Sequence, residues 1–252
     1  MKFSITSALI LFISIACFSQ TFKQTQLQNP RVKTAYTNKE AAIKKLLTDK
    51  KIDINSLQLF IRAFKKEHKM EIWAKDARHP TYTLLKTYDI CYFSGGLGPK
   101  RKEGDLQVPE GFYNVAGYNP NGTYHLTLWV DYPNASDRVL SDKTTPGGDI
   151  CIHGKCVSIG CMPMTDPMIE EIYILCTEAH TRGQAKIPAH IFPAKMDTEG
   201  YKALQEEYKD NPTLLAFWEN LKPGYDFFES RKTIPHISVD VTGKYMLSKY
   251  QN

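Results

Sequence analysis

His153 and Cys161 lie eight residues apart in the run Ile152-His153-Gly154-Lys155-Cys156-Val157-Ser158-Ile159-Gly160-Cys161-Met162-Pro163-Met164-Thr165. A thiol becomes a nucleophile only as its thiolate, and an imidazole nearby can take the proton. Gly160, directly before Cys161, permits the tight turn that would expose the sulfur, and Ser158 adds a hydroxyl two residues earlier. Backbone N–H groups at such a turn can meet the negative charge that forms on a carbonyl oxygen during acyl transfer. Cys161, His153, Ser158 and Gly160 are therefore the candidate catalytic residues.

The flanking sequence has to hold these groups in place. Gly147-Gly148 leads into an expected strand over Asp149–His153, in which Cys151 and His153 share one face and Ile150 and Ile152 the other. After Cys161, Asp166 reads as an N-cap and Pro167 as the first helical residue. The helix they open carries Ile169, Ile172, Tyr173, Cys176 and Ala179 at helical spacing and stops at Gly183. Its N-terminus, a few residues beyond Cys161, is expected to favour the thiolate. Upstream, Leu57–Phe64 and Met70–Ala74 alternate with period two around a charged turn and predict a hairpin. Further strands are expected at Leu84–Phe93, from Phe112, at Tyr124–Val130, at Ala189–Phe192 and at Ile237–Val241, with an amphipathic helix from Asp197 to about Lys209. Residues 20–36 look polar and patternless and are expected to form a mobile leader. Thr37 and Glu40 then form a capping box that opens a short helix.

The same cluster admits two other readings. Cys151, His153, Cys156 and Cys161 offer four soft ligands, but their spacing is not that of a paired zinc knuckle, and no resident metal is expected. A packed histidine with buried or disulfide-bonded thiols would be purely structural, yet leaves Ser158 and Gly160 before Cys161 unexplained. Setting Cys17 aside leaves Cys91, Cys151, Cys156, Cys161 and Cys176, an odd number. Cys91, Cys151 and Cys176 sit in apolar stretches and read as small buried residues, while Cys156 fits either state.

Taken together, Ile152-His153-Gly154 and Ser158-Ile159-Gly160-Cys161 resemble the active-site signature of the YkuD-type L,D-transpeptidase catalytic domain, in its YafK-like branch. Supporting matches are Gly98-Pro99-Lys100, Glu103-Gly104-Asp105, Pro109-Glu110-Gly111-Phe112-Tyr113, Tyr132-Pro133-Asn134-Ala135-Ser136-Asp137, His190-Ile191-Phe192-Pro193 and Leu221-Lys222-Pro223-Gly224-Tyr225-Asp226. The resemblance implies acyl transfer by cysteine on peptidoglycan stem peptides, at an amide on the L-centre of diaminopimelate. Cys161 would be the nucleophile and His153 its base. Ser158 and the N–H groups near Gly160 and Cys161 would hold the oxyanion. Lys100, Arg101, Tyr132, Gly154 and Ile159 would line the substrate cleft, with the basic loop meeting stem-peptide carboxylates. An amine acceptor gives a cross-link and water gives hydrolysis, including release of a protein attached to diaminopimelate. Ile159 stands where the wider family usually has histidine. The competing class is a non-catalytic peptidoglycan-binding module on the same fold.

At the scale of the chain, 252 residues with 42% apolar and 23% charged content suit one sizeable domain with appendages. The fold class expected is α+β: a β-dominated catalytic domain over residues 55–196, preceded by a leader and short helix (20–54) and followed by a packed C-terminal extension (197–252). Residues 1–19 read as a signal peptide, with Lys2 before the apolar run Ile5–Ala16 and cleavage after Ser19, which predicts export. Lipidation at Cys17 is the less favoured alternative. The net charge of +5 comes from scattered lysines, with no basic-aromatic module for nucleic acid. No cofactor is called for.

Overall fold

The computed structural model describes residues 20–248. The expected signal peptide lies outside the described residues. Among those described, no helix is long and apolar enough to cross a membrane.

The centre of the fold is an eight-stranded mixed sheet. Its strands are β1 (Gln58–Phe64), β2 (Lys69–Lys75), β3 (Thr83–Asp89), β4 (Gly111–Asn119), β5 (Thr127–Val130), β6 (Cys151–His153), β7 (Met162–Pro163) and β8 (Ile187–Phe192). They are ordered β3-β2-β1-β8-β4-β5-β6-β7. β1 pairs with β8, and β6 with β7, in parallel; the other pairs are antiparallel. The hairpin expected at Leu57–Ala74 is present as β1 and β2.

Both faces of β1 are covered, by different partners. Leu59, Ile61 and Ala63 belong to the larger core, together with Ile169, Ile172 and Ile174 of a helix that crosses that face, α4 (Asp166–Thr181). The alternate residues Phe60 and Phe64 point into aromatic clusters with Phe228, Trp218 and Tyr225 of a C-terminal helix, α6 (Pro212–Arg231). Residues past Phe192 also supply α5 (Thr198–Glu207) and a separate hairpin, β9 (His236–Val239) with β10 (Tyr245–Ser248). The sequence offered no signal for α6 as one helix, since Pro223-Gly224 reads as a break. The helix runs through both, and Gly224 is needed there because a Cβ would meet the Phe112 ring at 2.5 Å.

The N-terminal expectation is corrected. Residues 20–36 are not a loose leader but carry α1 (Phe22–Gln26) and the first turns of α2 (Pro30–Asp49). Asn29, not Thr37, caps α2, accepting from the Arg31 N–H; the Thr37 hydroxyl donates to Lys33 O inside the helix. Val32, Ala35, Tyr36, Ile43 and Leu47 form a buried stripe against the core that includes α4. A cap contributes about 1 kcal/mol, whereas burying each large apolar side chain contributes about 1.5–3 kcal/mol. Burial therefore sets where α2 runs. A short helix, α3 (Ala135–Leu140), and a 3-10 turn at Ile54–Ser56 complete the elements among the described residues.

Candidate active site

β6 ends at His153, and β7 begins one residue after Cys161. The two strands are parallel neighbours, with Ile152 beside Met162 and His153 beside Pro163. One step back along both strands come Cys151 and Cys161, whose sulfurs are 3.4 Å apart. Cys151, His153 and Cys161 offer ligand atoms that all lie within 4.8 Å of one another. The eight-residue spacing in sequence thus becomes a side-chain cluster because a tight connection joins two paired strands.

His153 is buried, with 1% of its surface exposed. Its Nδ1 is 2.6 Å from Gly154 O, and since a carbonyl only accepts, Nδ1 carries the hydrogen. Nε2 is then the nitrogen left to take a proton. The ring lies against Tyr124, with centroids 4.9 Å apart. Gly154 has no room for a side chain: a Cβ would sit 2.5 Å from Asp166 Oδ1 and 2.8 Å from His125 Cβ. Its glycine identity therefore fixes the close passage of the chain behind His153.

The Cys161 thiol is held below its ordinary range, first by the Cys151 thiol, which donates to it, and then by His153, with burial acting in the opposite direction. The Cys151 thiol is pushed up by the same hydrogen bond and by its own burial. Of the two sulfurs, Cys161 is the one that these contacts favour as a thiolate. β7 intervenes between Cys161 and α4, which begins only at Asp166. Asp166 is not the N-cap: Thr165 is, without a side-chain cap bond, and the Asp166 carboxylate accepts from the Lys155 N–H instead.

Ser158 differs from expectation in a way that bears on chemistry. Its Oγ accepts from the N–H groups of Gly160 at 3.0 Å and Cys161 at 2.8 Å, and donates to Cys161 O at 2.8 Å. The two N–H groups expected to meet an oxyanion are turned onto Ser158, which thereby clamps the turn before Cys161. Gly160 adopts φ +137°, a conformation open to glycine, and a Cβ there would press on Gln107 O at 3.2 Å. A disulfide between Cys91 and Cys156 anchors the same loop to the segment after β3. Cys91 is thus a bridging residue rather than a small buried thiol, and the four-ligand metal reading loses Cys156, whose sulfur is already bonded.

The basic loop is also built differently. Lys100 is buried, its ammonium donating to Asp105 Oδ1 at 2.6 Å and to Lys102 O. Arg101 pairs with Asp137 at 3.1 Å and lies over the Phe217 ring. The Tyr132 hydroxyl donates to Pro146 O at 2.9 Å. These three residues are spent on holding the 98–105 loop, so Lys100 and Arg101 are not free cations awaiting a stem-peptide carboxylate. Ile159, by contrast, is 80% exposed, two residues before Cys161. Val157, Tyr124, Tyr92 and Leu106 are further exposed apolar side chains. Sequence reasoning placed Cys151 on the face of His153 but missed its partner, because only the parallel β6–β7 register brings Cys161 alongside.

The chain is similar to known proteins. The YkuD model, described as an L,D-transpeptidase catalytic domain, matches residues 58–191. "Putative L,D-transpeptidase YafK" of Escherichia coli strain K12 is 40% identical over 194 residues, covering 76% of this chain and 74% of the relative, and the protein of that name from strain O157:H7 matches equally. Among solved structures, the helical cell shape determining protein Pgp2 from Campylobacter jejuni is similar at 18% identity, covering 73% of each chain with a TM-score of 0.44. The family match spans both His153 and Cys161, and the chain belongs to the L,D-transpeptidase catalytic-domain family.

Proposed function

We infer that the protein is an exported cysteine enzyme that opens an amide on the L-centre of diaminopimelate in peptidoglycan stem peptides, with water favoured over an amine as acyl acceptor. The observation that carries the reading is the Cys161 thiol set between Cys151 and His153. The Cys161 thiolate attacks the carbonyl carbon, and the C–N bond breaks as the leaving amine takes a proton from His153. A thioester on Cys161 remains. His153 then takes a proton from water, whose oxygen attacks the thioester, and the Cys161 thiolate departs. The new carboxylic acid gives its proton to solvent, and the thiolate–imidazolium pair of the first step is restored.

The preference for water rests on Ile159. An exposed isoleucine beside the turn presents only apolar contact, so this position has no hydrogen-bonding group with which to hold and orient an incoming amine. A peptide or protein attached to diaminopimelate is then a leaving group rather than an acceptor. The purified enzyme is to be incubated with disaccharide-tetrapeptide and with peptidoglycan bearing a covalently attached peptide, and the products resolved by mass. Release of the attached peptide is expected. Dimers joined between two diaminopimelate residues, without release, reverse the choice of acceptor. For export, intact mass of protein recovered from the cell envelope should place the N-terminus at Gln20; retention of Met1 contradicts it.

A further inference from the structure

Cys151 has a place in this site that acyl transfer does not require. Hydrolysis through a thioester needs one sulfur, and a serine or a backbone N–H could donate to the thiolate as well. Instead a second thiol stands 3.4 Å from the first, on the neighbouring strand. Of the other cysteines among the described residues, Cys91 and Cys156 are already joined, and Cys176 is fully buried in α4. Cys151 and Cys161 are left as a close pair of free thiols.

We propose that Cys151 is a resolving cysteine: on meeting a disulfide oxidant, Cys161 is captured as a reversible Cys151–Cys161 disulfide that switches acyl transfer off. This rests on the reading of Cys161 as the nucleophile.

The geometry allows the bond. Neighbouring strands run about 4.8 Å apart, within the Cα separation of roughly 4.4–6.8 Å that disulfides span. The two residues precede a registered pair by one position each, so their side chains leave the same face of the β6–β7 ribbon. The sulfurs need to close from 3.4 Å to about 2.05 Å, a change that side-chain rotation supplies.

The order of events follows from exposure and charge. Cys151 is only 6% exposed, whereas Cys161 is half-buried and carries the more acidic thiol. Oxidant therefore meets Cys161 first. The Cys161 thiolate attacks one sulfur of the oxidant's disulfide, forming a mixed disulfide and releasing one thiol. Cys151 then loses its proton and attacks the Cys161 sulfur, and the second half of the oxidant departs as a thiol. Two S–H bonds are lost from the protein and one S–S bond is gained. Two electrons and two protons pass to the oxidant, whose S–S bond becomes two thiols. A dithiol reverses the sequence. The device would spare Cys161 the irreversible sulfinic and sulfonic acids, since an exposed low-pKa thiolate without a resolving partner proceeds up that ladder.

The test uses the whole mature chain and oxidised glutathione as the disulfide. After exposure, unreacted thiols are alkylated and the protein is digested without reduction and mapped by mass. Wild type is expected to yield a Cys151–Cys161 cross-linked peptide, to retain no glutathione, and to lose at least tenfold in amide release, recovering on mild reduction. Cys151→Ala, and Cys151→Ser as a second variant, are expected to keep one glutathione on Cys161. Each variant's loss is judged against its own untreated activity. Wild type that retains glutathione on Cys161 with no cross-link overturns the proposal, as does a cross-link whose formation leaves amide release unchanged. The cross-link is read by mapping and the acyl-enzyme by incubation with muropeptide. A protein that forms the disulfide but never the Cys161 thioester therefore refutes the nucleophile reading alone.

Discussion

In the proposed mechanism Cys161 and His153 divide the chemistry between them, and the hydrogen bond from His153 Nδ1 to Gly154 O leaves Nε2 to do the work. An ordinary cysteine is only a few per cent thiolate at neutral pH. Cys161 is held lower by Cys151 and His153, so its thiolate persists above that lowered value and is lost as pH falls through it. His153→Gln removes one of the two supports. The alkylation rate of Cys161 by iodoacetamide at pH 7 should fall by about tenfold and its pH profile move to the alkaline side, where the thiolate forms unaided. An unchanged profile would mean that His153 does not act on Cys161. At this scale the sequence was informative where candidate groups stand in one short run: the stretch from His153 to Cys161 holds two side chains that the fold does bring together. Ser158 was legible as a participant but not in its role, because which acceptor its neighbours' N–H groups choose depends on the folded turn.

At the scale of elements, the β6–β7 pair and the Cys91–Cys156 disulfide act as one holder for the loop from Gly154 to Gly160. The disulfide closes a 65-residue separation, and cross-links of this kind stabilise folded domains by about 2–4 kcal/mol. Replacing both Cys91 and Cys156 by serine should lower the urea midpoint by a corresponding amount and slow amide release more than binding, since the loop that carries Ser158 and Gly160 loses its anchor. Unchanged turnover in a destabilised protein would confine the bridge to stability. The pairing of Cys91 with Cys156 was not readable, because nothing in the local pattern links residues so far apart. α2 is a different case. Its stripe of Val32, Ala35, Tyr36, Ile43 and Leu47 has helical spacing, but polar neighbours dominate the composition and obscured it.

Across the whole molecule, the sheet works because charges on its second face are satisfied under the C-terminal helix. Arg62 is buried, paired with Glu71 and with Glu229 of α6 at 2.7 Å each, and enclosed by Phe64, Trp73, Tyr225 and Phe228. Lys65 and Glu110, both buried, pair at 3.0 Å, and Glu110 also accepts from Gly98 N and Trp218 Nε1. These contacts join β1, the loop bearing Lys100 and α6, so residues past Asp197 hold the same scaffold that carries the site. Trp218→Phe keeps most of the packed ring but leaves Glu110 Oε2 buried without that donor, and should cost about 1–3 kcal/mol in denaturant unfolding. No loss would show that Glu110 is satisfied without α6. The alternation of β1 was visible in sequence, but not that both of its faces are covered, since that depends on α6 running through Pro223.

Acyl transfer by this protein requires that Cys161 carry the acyl group. Intact-protein mass, followed by peptide mapping, is to be measured after incubating wild type and Cys161→Ala with disaccharide-tetrapeptide. A thioester adduct on Cys161 in wild type, absent from a folded and inactive Cys161→Ala variant, is the predicted result. An adduct on another residue, or wild-type turnover by Cys161→Ala, would contradict it.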